Sequence, residues 1–197
     1  CGSGNFLTEI YKSLHELELE AIKKQLNLNY QTYTSYIDPC KVHIGQFFGI
    51  EIDDFAVSVA KTSLWIAECQ MLQKTEEVLG CKLEMLPLPK NANIFCGDAL
   101  TTDWNEVFKR KANAPAYIVG NPPFQGSKKM NVLQRQSLLI AMPDRVNGKK
   151  LWEAQGSLDF VAAWYAKAAA FMKGKSQIAA AFVSTNSIVQ GEQVAPL

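Results

Sequence analysis

No run of about 18 apolar residues, the length a membrane-spanning helix needs, occurs in the 197 residues. No basic-then-apolar signal opens the chain either. Membrane and secretory readings therefore lack support, and a cytosolic protein is expected. Histidine is scarce: His15 and His43 leave little material for a histidine-based metal site or a catalytic triad. The five cysteines, Cys1, Cys40, Cys69, Cys81 and Cys96, are odd in number, scattered and never in C-x-x-C spacing. That pattern argues against a disulfide framework and against zinc, so no metal is expected; the thiols read as reduced, some of them as small core hydrophobes. Net charge is nearly absent at +1, low for a free-standing nucleic-acid binder whose affinity comes from neutralising phosphates.

With 48% hydrophobic residues, the chain is long enough for one domain with a substantial core and short for two. The small net charge hides an asymmetry. Between Gln125 and Glu153 lie Lys128, Lys129, Arg135, Arg145, Lys149 and Lys150, against Asp144 and Glu153. This stretch reads either as a solvated loop or as a phosphate-facing one. The chain opens on Cys1 and stops at Leu197 just after a proline, so a fragment cut at both ends is expected.

Strand and helix patterns alternate, without internal repeats or low-complexity segments. From Phe6 to about Leu26, the residues Leu7, Ile10, Leu14, Leu17, Ala21 and Ile22 recur at helical spacing, which predicts an amphipathic helix. Residues 27–46 are polar and Tyr-rich, a loop or small excursion. Phe47 to Ile52 is a short apolar run closed by acids, as in a buried strand of a parallel sheet. A helix is predicted from Asp54, a candidate N-cap, through Ala60, Leu64, Ala67 and Met71 to about Leu79, with Gly80 as its stop. Ile94–Cys96 and Ala116–Gly120 are further strands, the second halted by Asn121-Pro122-Pro123 because proline donates nothing to a ladder. Ser157–Met172 is Ala-rich and helical, and Gln177–Val183 is a fourth strand. Strands separated by such helices pair in parallel through right-handed crossovers, which implies an α/β, doubly wound sheet with ligands at the carboxyl ends of its strands.

Four clusters stand where a strand ends or a helix begins. In Cys1-Gly2-Ser3-Gly4-Asn5-Phe6, glycines let backbone N–H groups approach a ligand, although a ligand-free turn into a helix has the same composition. In Gly49-Ile50-Glu51-Ile52-Asp53, an ionised Glu51 could accept from both hydroxyls of a ribose, while Asp53 or Asp54 serves equally as a helix cap. In Cys96-Gly97-Asp98-Ala99-Leu100, Asp98 could accept from the amino group of a ligand adenine, with Ile52 and Leu100 as apolar faces for the ring; an ordinary turn reads the same way. Gly120-Asn121-Pro122-Pro123-Phe124 is the specific one. Its two prolines leave the Pro122 carbonyl outside any ladder, Asn121 adds a second acceptor, and Phe124 adds a flat face. Two acceptors and a stacking ring can grip an amino group on a planar, flipped base.

The first cluster resembles the tail of the S-adenosylmethionine (SAM) binding motif Asp-Pro-Ala-Cys-Gly-Ser-Gly-Asn-Phe of adenine-specific DNA methyltransferases. Asn121-Pro122-Pro123-Phe124 is similar to their Asn-Pro-Pro-Tyr/Phe catalytic motif, and Ser184-Thr185-Asn186-Ser187-Ile188 with Gln190-Gly191-Glu192-Gln193 resembles a later segment of large single-chain restriction–modification methyltransferases. The resemblance covers essentially the whole chain. It implies a Rossmann-like SAM-dependent methyltransferase sheet that lacks its first strand and its C-terminal strands. Residues 1–197 would be a partial catalytic domain, with any target-recognition domain beyond Leu197, because only about twenty residues separate Asp98 from Asn121. It further implies methyl transfer from SAM to N6 of a flipped adenine in DNA. Cys1, Gly2, Ser3, Gly4, Asn5, Glu51, Ile52, Asp98, Ala99, Leu100 and Asn121 would hold the cofactor. Asn121, Pro122, Pro123 and Phe124 would hold the base, and Lys128, Lys129 and Arg135 would contact DNA.

Other readings remain open. The same chemistry could act on RNA or on a protein glutamine, or the fold could be a silent docking module. An NAD-type dinucleotide site is weaker, because Leu7 stands where the third glycine of G-x-G-x-x-G would fall. The motif residues Asp-Pro-Ala, which in the family lie on a strand near the middle of the sheet, are absent before Cys1. Residues 1–197 alone are therefore expected to bind SAM weakly or not at all; tight affinity by titration calorimetry would overturn this.

Overall fold

The computed structural model describes residues 1–28, 33–35, 37–83, 92–108, 114–142, 145–146, 149–150 and 158–190. Two compact units divide the chain, Cys1–Gly97 and Asp98–Leu197. Among the described residues no helix is long and apolar enough to cross a membrane.

The first unit runs α1 (Asn5–Leu28), β1 (Phe48–Glu51), α2 (Asp54–Leu79) and β2 (Asn93–Cys96). Strands β1 and β2 pair in parallel, from Phe48 opposite Asn93 to Glu51 opposite Cys96. Helix α2 buries Val57, Ala60, Leu64, Ala67 and Met71, a three-and-four spacing that lines one helical face. Its cap is Asp53 rather than Asp54: the Asp53 carboxylate accepts the Ala56 N–H at 2.7 Å, and Asp54 lies within the first turn. Gly80 ends the helix in the left-handed conformation (φ 68°), its N–H donating to the Glu76 carbonyl.

On α1 the buried row is Leu7, Tyr11, His15 and Leu19, each four residues on, while Leu14 and Leu17 are exposed. The apolar pattern in the sequence is wider than the stripe α2 covers, so hydrophobicity alone misplaces the inner face. Leu7 and Tyr11 pack in one core with Val57, Ala60, Leu64 and Met71, and the Tyr11 ring meets Phe47 edge-on at 5.6 Å. A fully buried Leu64 is worth about 1.5–3 kcal/mol of hydrophobic stabilisation.

The second unit contains α3 (Trp104–Val107), β3 (Ala116–Gly120), α4 (Val132–Ala141), β4 (Arg145–Val146), β5 (Lys149–Lys150), α5 (Ala162–Met172) and β6 (Ile178–Phe182). Parallel pairing joins β3 to β6, from Ala116 opposite Ile178 to Gly120 opposite Phe182; β4 and β5 pair antiparallel. Leu100, Leu138, Leu158 and Phe160 form its core with Ala162 and Ala163. Two features depart from the sequence expectation. The basic stretch after Gln125 is no plain loop: Asn131 caps α4 through a reciprocal capping box with Gln134, and Leu138 anchors the helix in the core. Helix α5 begins at Ala162, because the Phe160 N–H is taken by the Gln125 carbonyl at 2.8 Å and successive i→i+3 bonds make a turn there. Residues 151–157, part of the predicted helix and basic segment, lie outside the described residues.

Two glycines separate backbone strain from crowding. Gly80 has φ +68° and open space where a Cβ would stand, whereas at Gly4 (φ +85°) a Cβ would lie 3.0 Å from the Ala60 Cα. We predict that Gly80→Ala costs about 1 kcal/mol, from the left-handed backbone alone. Gly4→Ala should cost about 2–4 kcal/mol, because overpacking is added. Urea unfolding of both variants checks the order, and equal losses would show that the contact with Ala60 yields freely.

Candidate functional site

In the first unit, the turn Cys1–Gly4 comes down beside the end of β1. The Gly2 N–H and the Cys1 amino group both donate to Glu51 Oε2, and the N–H groups of Ile52 and Asp53 donate to Oε1 at 3.0 and 3.2 Å. The glycine turn and the acid singled out in the sequence are thus in direct contact. Gly2 adopts φ +59° with nothing within 4 Å of a built Cβ, so its need for glycine is conformational. Ser3 Oγ donates to Asn5 Oδ1 at 3.2 Å across the start of α1. Burial pushes the Glu51 carboxyl up, but hydrogen bonds from the Cys1 amino group and from the Gly2 and Asp53 N–H groups outweigh it, leaving the acid below its ordinary value. Ile52 is 70% exposed and presents an apolar face beside Glu51.

In the second unit, Asp98 organises a turn. Its Oδ1 accepts the Leu100 N–H at 2.9 Å, its Oδ2 accepts the Ser137 hydroxyl at 2.6 Å, and its carbonyl accepts from Thr101 and Thr102. Lone pairs remain on both carboxylate oxygens. Leu100 requires a correction: it is 0% exposed, inside the core, and has no face to offer a ring. The physical reason is its place in the Asp98 turn, which points it inward against Leu138 and Leu158. The Ala99 carbonyl is taken by the Trp104 indole N–H at 2.8 Å.

The ladder of β3 ends where the prolines begin. Gly120 is the last paired residue, and its carbonyl still accepts the Val183 N–H at 3.0 Å. Asn121 then stands exposed, its side chain without a hydrogen bond among the described residues. Pro122 is buried and Pro123 exposed, while Phe124 leaves 46% of its surface open. Gln125 anchors the following turn, its carbonyl on the Phe160 N–H and its amide on the Lys129 carbonyl at 2.7 Å. Lys128 and Lys129 project from that turn, whereas Arg135 turns back to brace the Ser127 carbonyl at 2.8 Å. Beyond β6, Ser184 accepts from the Tyr165 hydroxyl, and Ser187 donates to Asp159. Gly191, Glu192 and Gln193 lie outside the described residues, as do Asp144 and Glu153.

Sequence reasoning missed Ser137, the hydroxyl that holds Asp98, because nothing local marks a serine in a helix whose partner is distant in sequence. The expectation that no proline–cysteine pair of the kind a cytosine-C5 enzyme uses occurs is corrected by Pro39-Cys40, whose half-buried thiol is pushed up to about 12, first by burial and then by Asp38 and Glu18.

A family model for the MmeI DNA-methyltransferase domain matches residues 1–197. The chain belongs to that family. DNA methyltransferase A of Bacillus subtilis (strain 168) is 41% identical to this MmeI-family chain over 201 residues, which is 100% of the chain and 21% of that protein. A putative type II restriction enzyme and methyltransferase of Methanocaldococcus jannaschii is 32% identical over 114 residues, 55% of the chain and 9% of its own length. The solved structure of the type IIL restriction-modification enzyme MmeI in complex with DNA matches 98% of the chain with a TM-score of 0.85 and 37% identity, over 25% of its own length. This MmeI-family chain therefore spans 21% of the Bacillus subtilis protein and 25% of the MmeI chain.

Against its burial, hydrogen bonds hold the pKa of Glu51 below its ordinary value. Its bonds contribute stability above the ordinary glutamate value, and that contribution is lost as pH falls through the lowered folded value. We predict that Glu51→Gln flattens this part of the acid-unfolding profile, followed by circular dichroism. Superimposable profiles for the two proteins would show that the bonds contribute nothing.

Proposed function

We propose that this MmeI-family domain transfers a methyl group from SAM to the N6 amino group of adenine in DNA, as the modification half of a restriction–modification enzyme. One observation carries the reading: Asn121, exposed at the end of β3 and without a hydrogen bond among the described residues, is followed at once by two prolines and a half-open Phe124. A surface amide with no partner, ahead of an aromatic ring, is a poor core element and a good grip for a planar amino group. The relatives, a DNA methyltransferase and a restriction–modification enzyme bound to DNA, support DNA as substrate. Each parallel strand pair, with its helices, is the repeating element of a doubly wound Rossmann-like fold, the architecture we assign to the domain.

SAM fits the donor set that the first unit offers: a carboxylate at a strand end, backbone N–H groups from a glycine turn and an exposed aliphatic side chain. When bound, it supplies a methyl group carried on a positively charged sulfur. Glu51 would hold the ribose hydroxyls through the lone pairs that Gly2 and Cys1 now use, and Ile52 would pack on the adenine ring. Within the second unit, Asp98 would accept from the amino group of the cofactor's adenine with the lone pairs that Leu100 and Ser137 leave.

Asn121 Oδ1 and the Pro122 carbonyl accept the two N6 hydrogens of the target adenine, and among the described residues no hydrogen bond occupies that carbonyl. Held by both hydrogens, N6 keeps its lone pair directed out of the ring's conjugation, and the two oxygens stabilise the positive charge that builds on nitrogen. Phe124 stacks on the flipped base, and Lys128 and Lys129 face phosphate. No covalent nucleophile takes part. A cytosine-C5 mechanism needs a thiolate, and burial, with Asp38 and Glu18 beside it, disfavours one at Cys40 of the Pro39-Cys40 pair.

In the full-length protein, Asn121→Ala should lower kcat at least about a hundredfold while SAM affinity stays within a few-fold. Methyl transfer from labelled SAM to DNA, RNA and release factor, with analysis of the modified nucleoside, checks both substrate and position. Unchanged turnover in the variant would refute the role of Asn121. N6-methyladenine formed in RNA alone, or a methylated glutamine, would move the substrate elsewhere.

A further inference from the structure

We propose that His15, Asp38 and Cys40 form a site for one transition-metal dication of the zinc type, which clamps residues 37–43 onto α1 and stands apart from the methyl-transfer machinery. One ligand atom from each of the three lies within 4.8 Å of the others. His15 is buried on the inner row of α1, whereas Asp38 and Cys40 sit half-buried in a segment outside any helix or strand.

The wiring of His15 suits a ligand. Its Nε2 lies 3.0 Å from Thr75 Oγ1, and the Thr75 hydroxyl spends its only hydrogen on the Met71 carbonyl at 2.9 Å. Thr75 can then only accept, so Nε2 carries the proton and Nδ1 keeps its lone pair. A metal-ligating imidazole is nearly always held through its other N–H in this manner. Among the described residues, Nδ1 has for hydrogen-bonding neighbours the Val42 carbonyl at 3.3 Å and the Tyr11 hydroxyl at 3.5 Å, a poor match for an electron pair.

Charge points the same way. Asp38 faces the site together with Glu68, and Glu18 lies beside Cys40. Among the described residues no lysine or arginine forms an ion pair with any of these three acids. Burial foremost, with Asp38 adding, holds the Glu68 carboxyl above its ordinary value. Asp38 Oδ1 accepts the Cys40 N–H at 2.9 Å, and Glu18 accepts the N–H groups of Lys41 and Val42 at 2.8 and 2.9 Å, so both ends of the ligand segment are already oriented.

Thiolate, imidazole and carboxylate together favour zinc-like ions over magnesium or calcium. Tetrahedral coordination at about 2.0–2.3 Å brings ligand atoms closer than they now stand and leaves a fourth position for water. As the sulfur–metal bond forms, the Cys40 S–H bond breaks and its proton leaves to solvent; nothing is oxidised or reduced.

The test uses metal-free full-length protein and Co²⁺ as the probe. We expect saturation at one equivalent for this site, with a thiolate-to-cobalt absorption band, displacement by Zn²⁺ and a rise in Tm. Cys40→Ser should lose the band, and Asp38→Asn should weaken cobalt binding at least about tenfold, with circular dichroism verifying that both variants fold. No thiolate band at one equivalent, or a band that persists unchanged in Cys40→Ser, overturns the proposal.

Discussion

A side-chain carbon on Gly4 would stand 3.0 Å from the backbone of Ala60. Its absence is what lets α1 begin directly against α2, and much of the first unit follows from that contact. With the helix starting there, the turn before it is carried to the end of β1, where the Gly2 N–H reaches Glu51. Farther along the same seam Tyr11 enters the core, and His15 bonds Thr75 of α2. Alanines at 60 and 67 keep the seam narrow, so a polar histidine within it must find a partner on the facing helix rather than water.

The second unit meets the end of a strand differently. In the first, the carboxylate at the strand end is pinned by four N–H or amino donors. After β3, two prolines remove donors from the chain and leave a neutral amide, Asn121, projecting without a partner. An exposed amide is solvated and tolerates that state at little cost, whereas a part-buried carboxylate does not. One strand end therefore holds a charge in a rigid frame, and the other holds an acceptor ready to be filled.

Much of this was legible in the residues. Strand boundaries fell within one residue at β1, β2 and β6 and coincided at β3, because short apolar runs bounded by acids, glycines and prolines admit few other readings. The glycine turn and Glu51 were each legible as strand-end or helix-end groups, but their direct contact was not. Leu100 was misread as a ligand face, because its orientation depends on the Asp98 turn and on α4, which in turn was hidden within a stretch that read only as basic. Leu14 and Leu17 were misread as inward, because hydrophobic periodicity marks a stripe but not the part of it that a neighbour covers.

By itself, the order of residues determined the alternation of strands and helices, the family and the identity of the two motif ends, since these rest on local rules: period, capping, and the missing N–H of proline. Only the tertiary structure decided which polar groups are satisfied and by whom. Ser137 on Asp98, Thr75 on His15, and the gathering of His15 with Asp38 and Cys40 join residues far apart in the chain. No spacing rule encodes them, because hydrogen bonds and ligand sets depend on distances in space, which the packing of α1 on α2 and of α4 on its core sets after the local elements have formed.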